Sequence, residues 1–325
     1  MNAKTIERAL TRYADTKDED VRTRLKLFGP LMLEAARVAN TLDEDDVHVK
    51  AQASDEEILA AAKGGATLLS KGPIEINGES FERDLKALGA TLLESLAALG
   101  GDEILLAEAR AFNWAPFVDE AWLVAAACDP MKGLAVAETL TAGTDERLVD
   151  MWLLPVLGET LRAYLDAFAN RASNRLAGVE GSAPSWDRRM TCFVCGADPD
   201  MAFVAATTKN GNVKRLHCGA CGATWSFERI RCARCGDEAV SDLSYIADAD
   251  DNNMRLHICA ACGAAMPTHF APGDEETCCP EVDAVVLTGL EEAYAEALER
   301  GTVPGKVLKQ GDATLAGRGP GKGMV

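Results

Sequence analysis

Apolar positions in the first half of the chain recur at helical spacing. Between residues 4 and 14, Ile6, Leu10 and Tyr13 fall on one face. Between 79 and 99, Phe81, Leu85, Leu88, Leu92, Leu96 and Leu99 follow steps of three and four. Each stripe predicts an amphipathic helix with one face turned to a core. Ser54 followed by Glu57 is a capping-box signature ahead of Ile58 and Leu59, and Gly64 and Gly65 predict the end of that helix. Pro30 and Pro155 stand inside otherwise helical runs and predict kinks or breaks, because proline removes one backbone donor and crowds the preceding turn. Up to residue 178 the pattern amounts to roughly seven to nine helices in an irregular bundle.

The pattern then changes. The segment 178–190 (GVEGSAPSWDRRM) interrupts the helical period with Gly, Ser and Pro and reads as a domain boundary. Short β-type runs follow at 202–208, 214–217, 224–230, 243–246 and 254–258. A helical stripe returns near 281, with Val282, Val285, Val286, Leu290, Tyr294 and Leu298 expected on one side. From Gly301 the chain is Gly-rich and basic, with Lys306, Lys309, Arg318 and Lys322 against Asp312, which predicts a flexible tail.

Composition narrows the function classes. The 325 residues are 48% hydrophobic and carry a net charge of -18. That charge works against a large nucleic-acid footprint, which needs a basic face, and against an anionic membrane surface. The longest apolar runs, 121–128 and 151–157, are far too short to span a bilayer. The N-terminal residues lack the apolar stretch of a secretory signal, so a cytoplasmic location is expected.

In a reducing compartment, 11 cysteines call for something other than a disulfide framework. Eight of them form four C-x-x-C pairs, each followed by glycine: Cys192/Cys195, Cys218/Cys221, Cys232/Cys235 and Cys259/Cys262. Two thiolates three residues apart grip one ion only if the chain turns sharply between them, and the glycine frees the backbone to do so. Each pair is therefore half of a tetrahedral S4 site. The gaps between successive pairs are 22, 10 and 23 residues, which suggests two units of two pairs. The sequence repeats too, since Arg215-Leu216-His217-Cys218 and Arg255-Leu256-His257-Ile258-Cys259 open the second and fourth pairs. The preferred grouping is Cys192, Cys195, Cys218 and Cys221 on one ion and Cys232, Cys235, Cys259 and Cys262 on another. An interleaved grouping is the alternative. Spacing does not separate zinc from iron. Four sulfurs leave no position for water or substrate, which points to a structural or electron-carrying ion rather than a hydrolytic one.

The remaining candidates carry less. His217 and His257 adjoin the pairs and are expected to pack, or to hydrogen-bond to sulfur, rather than ligate. His48 and His269 stand alone. Cys278 and Cys279 lie beside Asp274, Glu275 and Glu276, whose charge disfavours thiolate, so an inert loop pair is expected. Cys128 reads as a small core residue. The tail motif GRGPGKG lacks the Ser/Thr and the helix of a phosphate loop. No nucleophile or hydrolase motif appears, and no catalytic residue is expected. Arg229, Arg231 and Arg234 crowd the link between the two units, where they offset thiolate charge or meet a partner.

Leu216, His217, Cys218, Cys221, Trp225, Arg229, Cys232 and Cys235 form a run that closely resembles the formate dehydrogenase accessory protein FdhE family, and the resemblance extends over about 190–300. It implies an α+β protein. An all-α bundle (1–186) would precede two tandem rubredoxin-like or zinc-ribbon modules (187–230 and 231–300, the latter with a C-terminal helix) and a tail at 301–325. It also implies a non-enzymatic cytoplasmic maturation factor. Its partner would be the molybdenum- or tungsten-containing catalytic subunit of formate dehydrogenase, exported by the twin-arginine route. Alternatives are an iron-dependent redox step in maturation or a nucleic-acid-binding ribbon protein. Phe193 stands where the family has proline, the 274–279 loop looks inserted, and the basic tail replaces the family's usual ending.

Overall fold

The computed structural model describes residues 1–180, 188–207, 211–248, 251–271 and 278–301. The helices of the first half follow in order: α1 (Ala3–Tyr13), α2 (Glu19–Thr41), α3 (Asp55–Ala62), α4 (Gly78–Ala98), α5 (Glu103–Arg110), α6 (Glu120–Cys128), α7 (Pro130–Leu140), the single turn α8 (Glu146–Leu148) and α9 (Leu154–Glu180). Their starts are chemically marked. Ser54 accepts from the Glu57 N–H while the Glu57 carboxylate accepts from the Ser54 N–H, so both halves of the capping box form. Asn77, Asp102 and Asp119 cap α4, α5 and α6 with their side-chain oxygens, which accept N–H groups of the first turn.

Neither proline ends its helical run. Pro30 lies inside α2, which continues through it. Pro155 is the second residue of α9 and follows a π turn at Val149–Leu153. The helical run is unbroken from Glu146 to Glu180, and Pro155 is accommodated where the turn before it is π rather than α, a local irregularity of the kind a proline imposes. A two-stranded antiparallel pair, β1 (Val47–Val49) with β2 (Ile74–Ile76), was not visible in the pattern because three residues are too few to show a period of two.

The chain divides into two compact units. The first comprises 1–7, 26–197 and 218–223. Its core forms where Phe81, Leu85, Leu88 and Leu92 of α4 meet Trp152, Leu153, Leu157 and Tyr164. Tyr164 edges against Phe81 at 5.2 Å between ring centroids, and its hydroxyl donates to the buried Asp84 carboxylate at 2.8 Å. Trp152 Nε1 donates to the Gly89 carbonyl at 2.9 Å, so the polar edges of the large aromatics are met as they are buried.

The second unit comprises 8–25, 198–217 and the residues from 224 on. It contains one six-stranded sheet: β3 (Met201–Thr207), β4 (Gly211–His217), β5 (Thr224–Phe227), β6 (Leu243–Ala247), β7 (Met254–Cys259) and β8 (Ala265–Ala271), in the order β5-β4-β3-β8-β7-β6. The expected ribbons are thus joined edge to edge, because β3 and β8 pair in parallel, Val204 opposite Phe270. β8 escaped the sequence reading because its interior residues are buried almost without alternation and include Pro267. Helix α10 (Pro280–Glu299) follows, burying Val282, Leu287, Leu290 and Tyr294. Leu298, expected on the same side, is exposed.

The two units cut across the four-part division read from the sequence. The turns bearing Cys192–Cys195 and Cys218–Cys221 belong to the helical unit. There the Leu68 and Leu69 N–H groups donate to the Phe193 and Val194 carbonyls at 3.1 and 2.9 Å. Residues 181–187 of the expected linker, the acidic residues 274–276 and the tail beyond 301 lie outside the described residues.

Candidate metal centres

All four C-x-x-C turns share one backbone geometry. In each, the glycine after the second cysteine donates its N–H to the carbonyl of the first, at 2.8–3.1 Å, for Gly196, Gly222, Gly236 and Gly263. The N–H of the first cysteine closes the turn by donating to a carbonyl five residues on, as Cys192 does to Ala197 at 2.7 Å. Closing so tight a loop requires the left-handed backbone at the glycine, and φ is +89°, +77°, +79° and +74° at the four positions. A side chain would strain each turn.

These turns bring the sulfurs together in two groups. Cys192, Cys195, Cys218 and Cys221 form the first and Cys232, Cys235, Cys259 and Cys262 the second, with the ligand atoms of each group within 4.8 Å of one another. The interleaved grouping does not form. In the first group Cys192 lies 3.6 Å from Cys221 and Cys195 lies 3.5 Å from Cys218. In the second, Cys232–Cys262 and Cys235–Cys259 are both 3.8 Å. A tetrahedral ion with metal–sulfur bonds near 2.3 Å separates its sulfurs by ~3.8 Å, whereas a disulfide brings them to about 2.05 Å. Both groups thus have the spacing and donor chemistry of a closed S4 site, and each could hold one metal ion.

Electrostatics supports the same assignment. Burial, and then the three neighbouring thiols, push the Cys221 thiol up. Four thiolates share such a space only around a cation. At Cys232 burial also opposes the thiolate, but the Cys235 and Arg234 N–H groups outweigh it and hold the thiol below its usual range. The Arg234 N–H lies 3.3 Å from the Cys232 sulfur.

The sites differ in access. All four sulfur-bearing residues of the first are buried, whereas Cys235 and Cys262 of the second are exposed. A chelator reaches an S4 ion by displacing ligands one at a time, so the second site should empty first. With a chromogenic chelator, metal release is expected in two phases separated by at least about tenfold in rate, as local opening of ~1.4 kcal/mol would give. Cys235→Ser should remove the fast phase and Cys192→Ser the slow one. A single phase shared by both sites would show that exposure does not govern release.

The other singled-out residues fall outside these groups. His217 is buried, with Nδ1 2.8 Å from Asp200. His257 Nε2 is buried with no hydrogen-bond partner among the described residues. His48 is exposed on β1, and Cys128 ends α6 half-buried. Cys279 stands just before α10 as its N-cap residue, where burial, and then the charge of Glu281, push its thiol up and disfavour the thiolate. Arg231 is buried over the Phe227 ring and near Glu228, and Arg234 pairs with Asp198. Sequence reasoning missed the pairing of His269 Nδ1 with the fully buried Asp283, at 2.7 Å, because the two come from β8 and α10 and share no motif.

No family model matches the chain. Proteins named FdhE homologues are similar to parts of it. One from Pectobacterium carotovorum is 29% identical over 113 residues, 34% of this chain and 35% of that protein. One from Yersinia pestis is 32% identical over 132 residues, 40% of this chain and 38% of that protein. The matches therefore span little more than a third of those relatives. The crystal structure of the FdhE protein from Pseudomonas aeruginosa superposes with a TM-score of 0.52 at 19% identity, covering 90% of each chain, so the fold is shared. Among the described residues no helix is long and apolar enough to cross a membrane.

Proposed function

Likeness to curated FdhE homologues and the shared FdhE fold support the FdhE family for this chain, and on that premise we propose that it is a non-enzymatic maturation factor for formate dehydrogenase. It acts in the cytoplasm on the catalytic subunit and dissociates before that subunit is exported. The observation that carries this reading is the closure of both candidate metal sites by four sulfurs each. A closed site offers no coordination position for substrate, so its ion serves shape, and the eight cysteines are its ligands. A metal-fixed surface meets a partner with little ordering cost.

Pull-down with the metal-loaded chain from cells producing formate dehydrogenase tests this directly. The catalytic subunit is expected to co-purify from the cytoplasmic fraction and to be absent once exported. Capture of DNA or RNA at moderate salt, with no formate dehydrogenase subunit, would replace the maturation reading with the nucleic-acid one.

A second reading rests on the exposure of Cys235 and Cys262. If the second site holds iron, exposed sulfurs let an electron in or out during maturation. Zinc-loaded protein that matures the client as well as iron-loaded protein does would dismiss it.

A further inference from the structure

The six-stranded sheet carries a cavity of about 300 Å³ that the metal sites do not use. Its cations are Lys214 of β4, Arg255 of β7 and Arg229 just after β5, and its apolar wall is Val204, Tyr245 and Phe270. Cross-strand pairing explains the convergence, since Val204 stands opposite both Lys214 and Phe270. In a chain of net charge -18, three cations on one concave surface would ordinarily be answered by carboxylates. Among the described residues none of the three makes an ion pair. Glu228, close enough to act on Lys214, is engaged by Arg231 at 3.4 Å.

Two of the cations, Lys214 and Arg255, are instead held in place by neutral groups. Lys214 is 4% exposed, and its ammonium has a carbonyl at 3.5 Å and the Phe227 ring at 5.4 Å. Arg255 lies over Phe270 at 4.0 Å and Tyr245 at 4.7 Å, which fixes the plane of its guanidinium. Its Nε donates to the Asn252 carbonyl at 2.8 Å. His257 faces the same space, and its buried Nε2 has no partner among the described residues. A buried polar atom without a partner costs about 1–3 kcal/mol, which a ligand atom can relieve.

We propose that this cavity binds a small phosphate monoester, its phosphate held by Lys214, Arg229 and Arg255 and its organic group against Val204, Tyr245 and Phe270. A phosphate monoester is close to a dianion above about pH 6, and its oxygens match the arginine fork. The cavity volume sits at the small end of ligand sites, which run to ~1,000 Å³. A neighbouring recess shares Lys214, Arg229 and His257 and reaches Cys232 and Cys259, so the rival explanation is that the cations only balance thiolate charge at the second metal site. This proposal stands apart from the client-binding reading.

Calorimetric titration of the metal-loaded full chain at low salt with phenyl phosphate, inorganic phosphate, an acidic peptide and a short oligonucleotide decides between them. Saturable binding of phenyl phosphate is expected, tighter than that of inorganic phosphate. The double variant Arg229→Gln/Arg255→Gln should weaken it at least about tenfold, the loss of one charge-assisted hydrogen bond or more, with metal content and circular dichroism unchanged. Should that variant misfold, Arg229→Gln alone, at an exposed position, must weaken binding several-fold. Absent binding, binding undiminished in the variants, a fall in metal content with no change in phosphate affinity, or tighter capture of the peptide or oligonucleotide would each overturn the proposal.

Discussion

Cys218→Ser is expected to lower the melting point of the helices by about 10 °C or more, whereas Cys259→Ser leaves that melting point in place and loosens the six-stranded sheet. The asymmetry follows from where the turns are anchored. Cys218 and its three partners belong to the compact unit that contains most of α2 and all of α3 to α9. A Cβ built on Gly222 would lie 3.0 Å from Asp166 Oδ1, so the second cysteine turn is packed directly on α9. The first is tied to the segment 68–69 by two backbone hydrogen bonds. Structural zinc contributes an apparent ~10–16 kcal/mol to small metal-dependent folds, and loss of a metal is among the few single changes that exceed about 4 kcal/mol. For a unit of this size each kcal/mol moves the midpoint by ~2–4 °C. Cys259, by contrast, closes a site whose ligands all lie in the sheet-bearing unit. Melts followed at 222 nm, with metal measured per chain, separate the two. A Cys218→Ser protein with one ion fewer and unchanged helix melting would show that the first site does not support the helices.

Local signals carried the sequence reading and long-range pairing defeated it. The cysteine turns were legible because glycine, thiol spacing and repetition all act within five residues, and the structure realises the same left-handed glycine four times. The capped helices were legible for the same reason, as Ser54 and Glu57 show. What was not legible depends on partners distant in the chain. Nothing in the sequence of β8 says that it will lie parallel to β3, some 65 residues earlier, and join the two ribbons into one sheet. The basic cavity is hidden for that reason, since Lys214, Arg229 and Arg255 converge only once that sheet exists. Pro155 was legible as a disturbance but not in its form: it leaves the helical run unbroken and follows a π turn at Val149–Leu153.

Asp283→Ala should destabilise the sheet-bearing unit by about 3–5 kcal/mol, a large part of the 5–15 kcal/mol typical of a domain. Asp283 is fully buried and accepts from His269 Nδ1 at 2.7 Å, the Cys279 N–H at 2.8 Å and the Tyr13 hydroxyl at 3.4 Å. Removing the carboxylate leaves an imidazolium and a helix-start amide buried without an acceptor, at the end of α10 where negative charge is favoured. The pH dependence has a definite sign. Burial disfavours the charged ring, but the hydrogen bond and charge of Asp283, together with Cys278, outweigh it and push the His269 pKa up to about 10. The folded protein therefore holds a proton that the unfolded chain, with an ordinary histidine near 6.5, releases. The pair's contribution is complete below about pH 6.5 and declines as pH rises toward about 10, since stability falls with pH wherever the folded state binds more protons. Urea unfolding of wild type and Asp283→Ala on the metal-loaded protein, at about pH 6, 8 and 9.5, should give a gap that narrows with each step, because thiol and lysine titrations common to both proteins cancel in the difference. A gap that stays constant over that range would mean that His269 is neutral in the folded protein and that Asp283 acts through the α10 start alone.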